Sequence, residues 1–281
     1  MIKIVTDSIV SLSPEEIAQY DITVVPLTIQ FGDTVYEDGV TISREEFIDL
    51  LATHDTLPTT SQPSIGKFKD VYDQLYEADN DVEIISIHVS TGLSGTVHAA
   101  AQAGELTHAN VHTFDTLSAD RGIAFHVLVA AKMAQAGASV AEIMAELENV
   151  RAQTHVSLTF TSLKNMVAGG RISKTAGLIG SLLNIKVGAI MDETGHVVVA
   201  VKGRGMKTIA KFHDDIIAEM QSKNEVIAIG LAHVGIPEVA AKLEARLAEL
   251  FPNAQIHTAL VTPAIATHAG LGSIATIYYA K

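Results

Sequence analysis

IISIHVSTGLSGTVHAA, residues 84–100, decides the fold. An Ile- and Val-rich run passes through a turn crowded with Ser, Thr and Gly into an Ala-rich run, which is the pattern of a buried strand feeding a helix. The turn has the form of an anion cradle. Gly92 and Gly95 permit close backbone approach, the first N–H groups of the helix are free, and Ser90, Thr91, Ser94 and Thr96 add hydroxyls. It lacks the lysine and glycine spacing of a P-loop. The plainer reading is a solvated strand–helix turn.

The same rhythm extends outward. Residues 3–6, 22–30, 83–90 and 110–116 read as strands, and helix starts stand between or after them. Ser13 with Glu16, Ser43 with Glu46 and Ser139 with Glu142 each set a capping Ser three residues before a Glu. Phe68, Val71, Tyr72, Leu75 and Tyr76 fall on one helical face. Strand–helix alternation predicts a mainly parallel sheet flanked by helices over 1–155. Beyond it, 189–192 and 196–202 flank Thr194-Gly195 as a hairpin, and 225–234, 255–261 and 274–280 read as strands, which predicts a second α/β domain with a mixed sheet over 156–281. No Pro/Gly-rich linker marks the boundary.

Composition narrows the function. The 281 residues carry a formal net charge of −13, which repels phosphate backbones and leaves at most transient contact with an anionic membrane. Nucleic acid is disfavoured as a partner. The absence of cysteine excludes disulfides and thiolate chemistry. No apolar run reaches the length of a membrane span, and the start of the sequence runs straight into a strand without a secretory leader, so the expected location is cytoplasmic.

Four polar clusters fall at expected strand ends, where ligands of open α/β sheets gather. Thr6-Asp7-Ser8 follows the first strand and is also an ordinary turn. Thr59-Thr60-Ser61-Gln62-Pro63-Ser64 holds more hydroxyls than a helix cap needs, although Ser64 alone fits an N-cap. The third is the 90–96 turn. The fourth spans 162–186, where Arg171 follows Gly169-Gly170 and offers a fork for a carboxylate or phosphate, with a structural salt bridge as the competing role. Ser173 there is a candidate cap for the apolar run 176–183, in which Gly177 and Gly180 permit close packing. Near the end of the sequence, His268 sits among Thr267, Gly270, Gly272 and Ser273, where an imidazole can donate to an acid or move a proton. No metal is expected: His108 and His112 lie too far apart on a strand to share one ion, and His196, His213 and His233 lack carboxylate-rich surroundings.

Taken in order, Thr6-Asp7-Ser8, Thr60 to Ser64, Leu93-Ser94-Gly95-Thr96, Gly169 to Ser173, Ile185-Lys186 and Thr267-His268-Ala269-Gly270 resemble the DegV family, bacterial fatty-acid-binding proteins that act as the lipid-carrying subunit of fatty acid kinase. The resemblance covers essentially the whole chain. It implies two α/β domains with a long-chain fatty acid in a tunnel between them. Thr60 or Ser61 and Ser94 would contact the carboxyl group, with His268 beside it and Arg171 at the mouth facing the kinase. Ser8, Gly95, Thr96, Gly170, Thr267 and Gly270 would complete the pocket. The sequence departs from the family at 115–122, where a Gly-rich helix start is usual, and at Lys202-Gly203-Arg204, where Lys replaces Arg.

A carboxyl group on a buried chain needs only a few donors, and hydroxyls serve either protonation state, which fits the turn without lysine. The expected function is therefore a non-catalytic carrier with no cofactor, whose ligand is presented to a separate ATP-binding kinase subunit. Two rivals stand beside it. Ser94 and His268 could be nucleophile and base of an acyl hydrolase or transferase, although Leu93-Ser94-Gly95 lacks the Gly-x-Ser-x-Gly elbow. The cradle would also suit a small phosphorylated metabolite.

Overall fold

The computed structural model describes residues 1–54, 56–172 and 185–281. The apolar run 176–183, with Ser173, Gly177 and Gly180, lies outside the described residues. The first half forms a four-stranded parallel sheet in the order β2-β1-β6-β7 from β1 (Ile2–Asp7), β2 (Thr23–Val25), β6 (Glu83–His88) and β7 (Asn110–Asp115). Its strand ends carry the polar clusters.

The run 22–30 is not one strand. Pro26, which lacks an N–H and so cannot continue a ladder on that side, ends β2 at Val25, and β3 (Thr28–Phe31) begins a separate antiparallel sheet with β4 (Thr34–Glu37) and β5 (Thr59–Ser61). This small sheet positions Thr60. Paired opposite the fully buried Ile29, Thr60 turns inward, while its neighbours Thr59 and Ser61 are exposed.

Helix starts follow the local chemistry. Helices α1 (Pro14–Tyr20), α2 (Arg44–Thr53) and α6 (Val140–Ala152) each begin with a complete capping box, from Ser13/Glu16, Ser43/Glu46 and Ser139/Glu142. Ser64 caps α3 (Ile65–Ala78), whose Phe68 and Tyr72 are fully buried. Helix α4 (Thr96–Gly104) follows the 90–95 turn.

The second half builds a six-stranded mixed sheet, β10-β9-β8-β13-β11-β12, from β8 (Thr154–Phe160), β9 (Ile185–Met191), β10 (Val197–Arg204), β11 (Val226–His233), β12 (Gln255–Leu260) and β13 (Ile274–Ala280). Neighbours run antiparallel except β11 and β12. Thr194-Gly195 makes the β9–β10 turn as expected. Helix α5 (Arg121–Gln135) lies between the two large sheets, against β1 and β6 on one side and β8, β11 and β13 on the other, which is why Ile123, Ala124, Val127 and Ala130 are all fully buried. A Cβ on Gly230 of β11 would fall on the Arg121 side chain, so glycine there lets the first turn of α5 reach the sheet. None of the described helices is long and apolar enough to cross a membrane.

One carboxylate ties the two central parallel strands together where they end. Asp7 Oδ1 accepts from Ile9 N at 3.0 Å, and Oδ2 accepts from Val89 N at 3.0 Å and His88 Nδ1 at 3.0 Å. His88 Nε2 then accepts from Ser86 Oγ at 2.7 Å, which accepts from the Tyr72 hydroxyl at 2.8 Å. All four side chains are wholly buried. The Ser–His–Asp order resembles a catalytic triad, but it has no contact with solvent, and each proton already has an acceptor. In Asp7→Asn an amide NH2 must face at least one backbone N–H, which should cost about 1–3 kcal/mol in urea unfolding. Unchanged stability would contradict the clamp.

Candidate functional site

All four parallel strands send the residues after their carboxyl ends into one cavity of about 360 Å3: Ile9 after β1, Leu27 after β2, Val89 after β6 and Ala119 after β7. Leu158 and Phe160 of β8 and Val197 of β10 close it from the mixed sheet. Helices α7 (Lys164–Gly169) and α10 (Pro263–Ala269) complete the wall with Met166 and with Ala264, Ile265, His268 and Ala269. Its volume lies within the range of small-molecule sites, and most of its lining is hydrocarbon.

The polar groups sit on a few elements. Thr60 Oγ1 and His268 Nε2 are 2.7 Å apart, and the hydroxyls of Ser94 and Thr96 are 2.8 Å apart. Ser61, Gln62, Gly95 and Arg171 also border the cavity. Arg171 Nη1 donates to Gly169 O at 2.5 Å and Nε to Leu93 O at 3.3 Å, so the guanidinium bridges α7 and the 90–95 turn. Among the described residues it pairs with no carboxylate.

His268 is held neutral. Burial, and after it the charge of Arg171, push its imidazole down to about 4. Its Nδ1 lies against Gly169, where a Cβ would collide with it, and has no partner among the described residues. An unpaired acceptor costs less than an unpaired donor, so the favoured tautomer carries its proton on Nε2. Nε2–H then donates to Thr60 Oγ1. The Thr60 hydroxyl proton is left for an acceptor in the cavity.

Thr60, Ser61, Ser94, Gly95, Arg171 and His268 thus come together. Ser8, Thr96, Gly170, Thr267 and Gly270 do not border this cavity. Ser8 Oγ accepts from Leu27 N at 3.0 Å and donates to the buried Asp38 at 2.7 Å, beside a neighbouring cavity. Thr96 supports Ser94, and Thr267 Oγ1 donates back to Pro263 O at 3.0 Å. Gly170 and Gly270, at φ 71° and 73°, terminate α7 and α10. The sequence reading expected the run 176–183, which lies outside the described residues, to wall the tunnel; it missed the described apolar wall and with it Asn165, whose Nδ2 donates to Thr267 O at 2.9 Å and holds α7 against α10.

The 115–122 segment reaches the cavity only through Ala119. Leu117 and Asp120 take positive φ values of 47° and 54°, where glycine would be unstrained, and Arg121 grips Glu16 through two bonds of 2.7 and 2.6 Å. The rival catalytic pairing is not assembled: His268 bonds Thr60, and Ser94 bonds Thr96. His112 bonds Glu83 at 2.8 Å, and no cluster suited to a metal occurs among the described residues.

The model of the DegV family of uncharacterised proteins matches residues 1–281. A DegV domain-containing protein of Streptococcus pyogenes is 36% identical over 276 residues, covering 98% of each chain. One from Listeria innocua is 37% identical over 279 residues, covering 99% of this chain and 98% of its own. Among solved structures, a fatty acid binding protein from Bacillus subtilis superposes with a TM-score of 0.91 at 29% identity, over 100% of this chain and 99% of that one. A DegV family protein from Thermus thermophilus, described for its fatty acid binding, gives 0.89 at 29% identity with the same coverage.

The neutral imidazole has a pH signature. Unfolded, His268 takes up a proton near 6.5, but folded not until about 4, so its contribution to stability is complete above the upper value and is lost as pH falls through that window. His268→Gln keeps a donor for Thr60 without the titration. The thermal-stability advantage of the natural protein over this variant should narrow from about pH 7 to about pH 5. A constant difference would show that the imidazole is not held neutral.

Proposed function

The chain belongs to the DegV family, and from that premise we propose that it is a carrier for a long-chain fatty acid, which it buries and presents to a separate ATP-dependent kinase. The observation that carries the reading is the division of the cavity. Hydrocarbon lines most of it, and hydroxyls, a neutral imidazole and one guanidinium gather on Thr60, Ser94, His268 and Arg171. The acyl chain lies along Leu158, Phe160 and Ile265, between the lobes 1–155 and 156–281, and the carboxyl group sits within reach of the Thr60 and Ser94 hydroxyls.

Magnitudes support this division of work. Burying about fifteen methylenes at roughly 0.8 kcal/mol each is worth on the order of 12 kcal/mol before ordering costs, against roughly 1–3 kcal/mol for a charge-assisted hydrogen bond. The tail supplies affinity and the head group supplies position. At the kinase, a carboxylate oxygen attacks the γ-phosphorus of ATP, the bond to the ADP oxygen breaks, and the products are acyl phosphate and ADP. Among the described residues, Arg171 spends Nε and Nη1 on two wall elements, which leaves guanidinium N–H groups for the carboxylate or the incoming phosphoryl group.

Native mass spectrometry of protein purified from a bacterial host should show one bound fatty acid per chain. Protein that is empty and also refuses palmitate and oleate would overturn the carrier reading, and a polar phosphorylated ligand would replace it. Thr60→Ala and Ser94→Ala should each weaken retention by about 0.5–1.5 kcal/mol. Arg171→Ala should keep most of its lipid yet support much less acyl phosphate formation with kinase and ATP. Arg171→Lys should recover only part of it, since one ammonium lacks bidentate geometry. Loss of lipid in step with activity would reduce Arg171 to a binding residue.

A further inference from the structure

A second cavity, of about 510 Å3, lies back to back with the first and shares no lining residue with it. The chain alternates between them: Ile9, Leu27 and Ala264 border the first, while Val10, Pro26 and Pro263, their neighbours in sequence, border the second. Its walls come from both halves of the fold. Leu12, Ile17 and Val24 belong to the parallel-sheet half, and His257 and Ala259 to β12.

Among the lining residues Arg44 is the only fixed cation and Asp38 the only acid, and the fold uses neither fully. Arg44 is the first residue of α2, where a positive charge opposes the helix dipole. Its Nη1 donates to Leu260 O at 2.5 Å, and Nε and Nη2 have no hydrogen-bond partner among the described residues. Asp38 is 2% exposed, so a carboxyl oxygen left unpaired there is costly. Its Oδ2 accepts from Ser8 Oγ at 2.7 Å, and its Oδ1 has no partner among the described residues; the Ala264 N–H lies nearby without making that bond. Burial pushes the group up to about 7 against the charge of Arg44. The hydroxyls are already spent: Ser13 and Thr262 cap α1 and α10, and Ser8 holds Leu27 and Asp38. Burial, and after it the charge of Arg121, hold the His257 imidazole below its ordinary value.

One unspent guanidinium face, one unpaired carboxyl oxygen and a hydrocarbon wall together suit a zwitterion with an apolar body. A simple carboxylate would leave the acid unpaired, and a simple amine would face the guanidinium. We propose that this cavity is a second ligand site, for an α-amino acid with a bulky apolar side chain. Arg44 takes the carboxylate as a fork, Asp38 Oδ1 takes the ammonium, and the side chain packs against Val10, Leu12, Ile17 and Val24. Because the two cavities share no lining residue, this inference does not rest on the fatty-acid reading, and both sites fill at once.

The test is isothermal titration calorimetry above neutral pH, where Asp38 is ionised, with L-leucine and L-phenylalanine as probes of delipidated and of palmitate-loaded protein. One equivalent of each probe should bind, with affinities that agree between the two preparations within about twofold. Isocaproate, which lacks the ammonium, and isoamylamine, which lacks the carboxylate, should each bind about tenfold or more weakly than leucine, a comparison that needs no variant. Arg44→Gln and Asp38→Asn, the latter keeping an acceptor for Ser8, should each weaken leucine by about tenfold or more. A natural protein that takes up neither amino acid, or that takes up isocaproate as tightly as leucine, overturns the proposal. Binding that palmitate displaces, or that both folded variants retain in full, overturns it too. Should the protein refuse palmitate, the fatty-acid reading fails while the delipidated arm still decides this one.

Discussion

The Asp7 carboxylate fixes the end of one strand to the end of its neighbour, and the head of the cavity depends on that tie. Its three acceptor contacts hold Ile9 and Val89, which both border the cavity, and lead into the turn that carries Leu93, Ser94 and Gly95. Removing a buried acceptor leaves donors unpaired, which costs more than the bond itself contributes. The network through His88, Ser86 and Tyr72 extends the tie to α3 and uses every proton it contains. Ser8 repeats the device one residue later by joining Leu27, another wall residue, to Asp38. The Thr6-Asp7-Ser8 cluster therefore acts on the cavity through the backbone it positions.

The site is electrostatically quiet for one proposed to hold an acid. A neutral imidazole and hydroxyls donate without adding charge, and the one guanidinium nearby is partly spent on carbonyls. Such a head group suits a ligand whose binding energy lies in its tail. Strong pairing to a lysine would hold a carboxylate against transfer, whereas hydroxyl contacts of modest worth leave its oxygens reactive. The overall charge of −13 does not attract anions to the chain, so in the proposed carrier the hydrophobic effect is the main driving force for capture.

How much of this was legible in the sequence follows from how local each signal is. The capping boxes at Ser13, Ser43 and Ser139 and the turn at Thr194-Gly195 depend on neighbours within a few residues, and all appear where the pattern puts them. The break at Pro26 was also readable, because a proline inside a strand-like run signals an edge or an end. Strand β5 was not. Three residues have no period of their own, and only pairing with β3 turns Thr60 inward and its neighbours out. The hydroxyls show the same limit: Thr60, Ser94, Ser8 and Thr267 look alike in sequence, yet two border the cavity and two are spent on packing the walls. The apolar lining left no signal because its members are scattered over the whole chain as ordinary core residues.

The central claim is that one end of this cavity is built for a carboxyl group and the rest for its chain. A crystal structure of the palmitate-loaded protein tests it most directly. The account predicts the carboxyl oxygens within hydrogen-bond distance of the Thr60 and Ser94 hydroxyls, with the chain running past Phe160 and Ile265. A carboxyl group buried against Leu158 and Phe160, or a lipid seated in another cavity, would contradict it.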